Sequence, residues 1–347
     1  MTLIELMVAG GAFAIISLAG FAVLSTGQRS AVMNDQTVQI QQNVRLAMDL
    51  IARDVRMASF GTPAAASLFG CANTINTGDS NPTEDLGPDT IAVMTVSEQV
   101  GELAAAFTAG NVIDLGAPSG LGMGDVVSLE GAFTGIVDGV GINTVTLNNA
   151  VVAPTNYAIG TAVVRLACIT YSVSDANGAA PGFAGGPPHQ LLRAINGGGA
   201  VAVVDSIESL QIAYALDTNN DGIIDDQPGG ALGIANVPDC KDFVPNDSFN
   251  SRTCPMQLGA GSQSLAPGTT ENLAANVTPS AIRQVRLTVV GRATPPAAAN
   301  FPGNNWRDAT YTGNSRVQAE DQDIANAPGI RRRTLMRMVT LRNGTNL

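Results

Sequence analysis

"MTLIELMVAGGAFAIISLAGFAVL" (residues 1–24) decides how this chain is built. Glu5 is its only charged residue, and the nineteen residues that follow, from Leu6 to Leu24, carry none. As a helix rising 1.5 Å per residue, they reach ~28 Å, close to the thickness of a bilayer's hydrocarbon core. An unpaired carboxylate at such depth costs several kcal/mol, so Glu5 calls for a partner. A secretory signal peptide would need a basic region ahead of the apolar run and a small-residue cleavage site behind it. Here no Lys or Arg precedes Glu5, and the pattern behind the run stays helical.

The continuation is "QRSAVMNDQTVQIQQNVRLAMDLIARDVRMASFG" (28–61). Val44, Met48, Ile51, Val55 and Ala58 recur at alternating steps of four and three, which lays one apolar stripe along a helix. Arg45, Asp49, Arg53, Asp54 and Arg56 fall largely off that stripe. The pairs Arg45–Asp49 and Asp49–Arg53 stand at i,i+4 with opposite charge and are expected to add modest support. Gly61 and Pro63 supply a stop. The expectation is one helix of about 58 residues, ~87 Å long. Residues 1–28 form its apolar half, 29–60 its amphipathic half, and 61–347 a β-rich globular region.

That region reads as short β-prone runs between Gly and Pro: "TIAVMTV", "NVIDL", "DVVSLEG", "NTVTLN", "TAVVRLACITYSV", "AVAVVDSIESLQIAYAL", "AIRQVRLTVVGRA" and "RTLMRMVTLRN". Alternation is clearest in "RQVRLTVVGRA", which predicts a strand with one buried face. A sheet laid on the amphipathic helix gives an α+β fold of one long N-terminal helix on an antiparallel β-rich domain. The 38 glycines, 18 prolines and few aromatics of the 347 residues favour such strands over a helical bundle.

The net charge of −11 argues against nucleic acid or anionic lipid headgroups as the main partner. Arg331, Arg332 and Arg333 make the one basic run, read as a solvated or salt-bridged strand edge. No GxSxG, HExxH, P-loop or strand-to-helix GxGxxG occurs, so no enzyme activity is expected. His189, the single histidine, lies beside two prolines and is read as structural. Trp306, the single tryptophan, is read as a core or loop anchor.

The residues carry a family resemblance. "TLIELMVA", with Glu5, the apolar run and the amphipathic helix, resembles the mature N-terminus of type IV pilins and type II secretion pseudopilins. "NVRLAMDLIARDVRMASFG", "IESLQIAYALDTNNDGIIDD" and "GIRRRTLMRMVTLRN" are similar to PilW-type minor pilins and to the related J-type minor pseudopilins. The resemblance implies a basic leader removed by a prepilin peptidase, leaving Met1 as the mature, N-methylated first residue. Family members most often begin with Phe, and Ala22 stands where major pilins usually carry a kinking Pro. It further implies that Glu5 pairs with the N-terminal amine of a neighbouring subunit during filament assembly. Implied partners are other minor pilins, the major pilin, the inner-membrane assembly platform and a tip adhesin. The implied location is the inner membrane with a periplasmic head, then the extracellular pilus, in the service of adhesion and twitching motility.

"DTNNDGIID" (217–225) is the one stretch with ligand chemistry. Asp217, Asn219 and Asp221 alternate, Gly222 follows, Ile223 offers a carbonyl and Asp225 takes the ninth place, as in the first half of an EF-hand calcium loop. Pro228 stands at the twelfth place instead of a bidentate Glu. The alternative is a turn whose Asp and Asn side chains satisfy backbone groups. Both readings stand at this point, with calcium the only candidate cofactor.

Cys71, Cys168, Cys240 and Cys254 show no CxxC spacing, which favours disulfides outside the cytosol over zinc. Three pairings are open. The polar loop between Cys240 and Cys254 favours that bond, leaving Cys71–Cys168 by elimination. The functional expectation is a minor pilin that primes pilus assembly or forms its tip. The alternatives are a J-type pseudopilin and a membrane-anchored, calcium-dependent binding module working without a filament.

Overall fold

A computed structural model of the protein describes residues 2–58, 88–116, 120–130, 133–151, 156–174, 188–196, 198–217, 219, 221–225, 243–245, 282–293, 317–319, 322–324 and 330–341. Met1, Cys71, Cys240, Cys254, Trp306 and Pro228 lie outside the described residues.

The helix α1 runs Leu3–Met57 without a break, 55 residues or about 82 Å. It ends at Ala58, whose ψ of 142° turns the chain out of helical geometry, three residues before the expected Gly61. The expected stripe is the docked one: Val44, Met48, Ile51, Val55 and Ala58 are each at most 2% exposed, joined by Ile40, Ala47 and Ala52.

Two sheets receive the chain. The larger is built from β1 (Ile91–Glu102), β2 (Gly110–Asp114), β3 (Val126–Leu129), β4 (Phe133–Val140), β5 (Thr144–Val151), β6 (Ala162–Val173), β7 (Gln190–Ile195) and β8 (Val201–Asp205). Its order is β2-β5-β4-β3-β6-β7-β8, with β1 also paired to β6, all antiparallel. The smaller has the order β10-β9-β11-β14, formed by β10 (Phe243–Pro245), β9 (Ile207–Leu216), β11 (Ile282–Arg292) and β14 (Arg332–Thr340). A separate hairpin joins β12 (Val317–Ala319) to β13 (Gln322–Ile324).

The twelve-residue strands β1 and β6 each serve two cores. Ile91, Val93, Ile169, Tyr171 and Val173 at one end pack with α1 and the smaller sheet. At the other end Val100 of β1, Leu103 just past it and Val163 of β6 pack with Ile113, Leu115, Val127, Leu129, Val137 and Leu147 in a second core without α1. The partner strand of β6 changes accordingly, β7 along Ile169–Val173 and β3 along Val163–Leu166.

The run 200–216, expected as one strand, is two. Ser206 takes φ +64° and splits it into β8 of one sheet and β9 of the other, and its carbonyl accepts the Arg292 N–H at 2.9 Å. β11 is buried on both faces, contrary to the single buried face expected. Val285, Leu287 and Val289 face α1, and on the opposite face Arg286 is 2% and Thr288 0% exposed. β4 and β7 were not among the expected runs.

Candidate functional site

Two places on α1 combine charge with position: its first turn and its docked half. At the first turn Thr2 is the N-cap, its Oγ1 accepting the Glu5 N–H at 3.4 Å. The Glu5 Oε2 in return accepts the Thr2 N–H at 2.8 Å. This reciprocal capping box satisfies two orphan donors of the helix end. The carboxylate therefore has a local partner within its own chain. Thr-x-x-Glu is the sequence signature of that box, and it is legible at Thr2–Glu5.

Beyond Glu5 the apolar half is bare. Its hydrophobic side chains from Leu6 to Leu24 are 66–73% exposed, and the membrane-length window has no buried share. Ser25 and Thr26 at its end turn their hydroxyls back onto the Ala22 carbonyl at 3.0 and 2.9 Å, so these polar atoms are satisfied inside the helix.

In the docked half Asp54 is only 6% exposed, although the apolar stripe placed it elsewhere. Its Oδ2 accepts the Tyr171 hydroxyl at 2.7 Å and the Arg193 Nη2 at 3.2 Å, and its Oδ1 accepts the Arg53 Nε at 3.2 Å. Cross-strand register puts Arg193 of β7 directly opposite Tyr171 of β6, with the guanidinium 5.9 Å from the ring centroid. Burial, then the Asp54 hydrogen bond and charge, push the Tyr171 phenol well above its ordinary value, so it stays a donor. Burial works against the charge of Arg193, but Tyr171 and Asp54 outweigh it and raise its pKa. A partly buried ion pair, joined to a buried Tyr171–Asp54 hydrogen bond, thus ties α1 to β6 and β7.

The expected pairs Arg45–Asp49 and Asp49–Arg53 do not form. Asp49 accepts Arg337 Nη1 from β14 at 2.6 Å, and Arg53 turns to Asp54. Arg331, the residue just ahead of the same strand, donates to the Thr37 Oγ1 at 3.2 Å. The helix from Thr37 to Asp49 and the extended chain from Arg331 to Arg337 each cover about 18–20 Å. Helix and strand therefore lie side by side, fastened at both ends.

Arg332 is the salt-bridged edge residue expected of the arginine run. It sits opposite Arg292 on β11, a repulsive like-charge pair that Glu208 bridges, accepting Arg332 Nε at 2.5 Å and Arg292 Nη1 at 3.1 Å. His189 takes the structural place read for it, with Nε2 3.0 Å from Arg292 Nη1.

The 217–225 loop brings Asp217, Asn219 and Asp221 together, but not around an open cavity of oxygens. Asp217 is 1% exposed and bound to Arg283 of β11. Among the described residues no group of three or more His, Cys, Asp or Glu could hold a metal ion. The Asp217, Asn219 and Asp221 side-chain oxygens accept N–H groups of the loop itself, as in an acidic turn. Cys168, on β6, is disulfide-bonded and exchanges main-chain and side-chain hydrogen bonds with Asn196, while the three other cysteines fall outside the description.

Fold and site define an α+β protein with a membrane-length N-terminal helix half projecting from a sheet-docked half. No family model, curated protein or solved structure matches this chain.

Proposed function

We propose that the protein is a minor subunit of a type IV pilus, anchored in the inner membrane by the first half of α1 and extracted into the filament, where it primes assembly or forms the tip. The observation that carries this is the division of one unbroken helix into a bare half of bilayer length and a half fixed to the head. A fixed second half holds the first at a set angle to the head, as a subunit stacking through that helix requires. The 347-residue size suits a tip better than a repeating shaft. In this reading Glu5 exchanges the Thr2 N–H for the first amine of a neighbouring subunit, and the partners are other minor pilins, the major pilin, the inner-membrane platform and a tip adhesin. A J-type subunit of a secretion pseudopilus works by the same chemistry.

One observation favours a second reading, a membrane-anchored head working without a filament. The capping box gives Glu5 a role inside its own chain. Glu5→Gln separates the two, because glutamine keeps the box but loses the charge. The pilus reading expects normal membrane insertion and loss of surface pili or of secretion. Unchanged piliation and secretion in that variant favour the capping role alone.

A further inference from the structure

We propose that the loop 217–225 carries its own cation, the guanidinium of Arg283, on the carboxylate that takes the first ligand position of an EF-hand-type loop, and that the head is thereby made independent of calcium. The argument rests on where each carboxylate oxygen points. Asp217 holds the first ligand position, and its Oδ2 receives Arg283 Nε at 2.8 Å, Arg283 Nη2 at 2.5 Å and the Gly222 N–H at 3.0 Å. Its Oδ1 receives the Asp221 N–H at 3.1 Å. The Asn219 Oδ1 also receives the Asp221 N–H, at 2.9 Å. Asp221, the fifth position, accepts the Ile223 N–H at 2.8 Å and Asn219 Nδ2 at 3.0 Å. Asp217 Oδ2 thus meets three donors, two of them from Arg283, and has no lone pair left for an ion, whereas a calcium loop turns its first-position carboxylate onto the ion at 2.3–2.6 Å.

The geometry of the turn is otherwise that of a short ligand loop. Gly222 sits at φ +84°, which only glycine adopts without strain, and the Asp225 N–H closes onto the Leu216 carbonyl at 2.7 Å. Arg283 reaches in from β11, with its side chain 9% exposed against 0% for Asp217. Burial pushes the Asp217 pKa up, but the Arg283 and Gly222 hydrogen bonds outweigh this and hold it below the ordinary value. A divalent ion would have to displace a buried guanidinium that is bound to the same carboxylate. That exchange breaks the buried Arg283–Asp217 pair, which is costly for an ion pair out of water.

The inference holds whether or not the chain enters a filament. The test is the melting midpoint of the full chain in detergent, in chelator, millimolar calcium and millimolar magnesium. The wild type is expected to melt at the same temperature in all three. Arg283→Gln is expected to melt lower in chelator and to gain a saturable rise of about 5 °C in calcium but not magnesium. Adding Asp221→Asn should abolish that rise. A saturable calcium-dependent rise in the wild type overturns the proposal, as does a folded Arg283→Gln protein indifferent to calcium. Should Arg283→Gln fail to fold, the wild-type titration decides alone: a flat midpoint supports the resident guanidinium and a saturable rise rejects it.

Discussion

The two halves of α1 share one backbone and differ in what their side chains meet. From Leu6 to Leu24 every large hydrophobic is at least two-thirds bare, while from Ile40 to Ala58 the apolar stripe is at most 2% exposed. Helix propensity would favour the second half, since all four glycines of α1, Gly10, Gly11, Gly20 and Gly27, lie in the first. The first half is apolar all round, the signature of a helix whose solvent is lipid or other helices. The second is apolar on one stripe and finds that stripe's partner in β1, β6, β9, β11 and β14 of its own chain. Stability of the head therefore resides in one half only.

Matched substitutions break this comparison most directly. Ile51, fully buried, and Ile15, 71% exposed, are the same residue type on the same helix. Ile51→Ala removes methylenes from a closed core and is expected to lower unfolding stability by about 4 kcal/mol. Ile15→Ala is expected to stay within about 0.5 kcal/mol. Urea denaturation of the two variants in detergent measures both, and equal losses would mean that the first half is also packed against the head.

Asp54 comes next. Asp54→Ala leaves the Tyr171 hydroxyl and the Arg193 guanidinium facing an empty carboxylate position, and about 3 kcal/mol of stability should be lost. A loss below about 1 kcal/mol in the same denaturation experiment would show that apolar packing alone sets the rotation of α1.

What the sequence made legible follows from what is local. Val44, Met48, Ile51, Val55 and Ala58 stood out because a helical period is written within four residues. Asp54 did not, since its partners Tyr171 and Arg193 lie 117 and 139 residues away. The break at Ser206 was hidden for another reason: positive φ is ordinarily signalled by Gly or Asn, and serine gives no such signal. In β4, "FTGIVDGV", two glycines and an aspartate lower the strand propensity, yet pairing to both β3 and β5 overrides that. In the acidic loop the oxygen spacing was visible, but the arginine that answers it comes from β11, 66 residues on.

Gly291 probes how closely the docked half approaches its sheet. A Cβ built there would collide with Val44 Cγ2, lie 2.8 Å from Ile40 Cγ2 and meet the Ser206 carbonyl at 3.4 Å. The glycine is needed for this close approach, and its place on the face shared with Val285, Leu287 and Val289 explains why. Gly291→Ala should cost about 2 kcal/mol by pushing α1 off β11. Gly10→Ala in the bare half, where nothing lies within 4 Å, should cost nothing measurable in the head. Thermal melting of the pair reads the contrast.

The smallest effect belongs to the surface fastening. Asp49 and Arg337 meet at 2.6 Å, but their side chains are 72% and 36% exposed, so water and salt screen the pair. Asp49→Ala should lower stability by only about 0.5 kcal/mol, and the loss should shrink further at high salt. The pair's value lies in register rather than energy. With Arg331 on Thr37 it sets which turn of α1 meets which residue of β14, while Ile51 and its neighbours supply the adhesion. A double-mutant cycle with Arg337→Ala, run at low and high salt, isolates that coupling. A coupling that exceeds about 1 kcal/mol or ignores salt would make this edge a main attachment of the helix, and would move the boundary between its two halves outward from the apolar stripe.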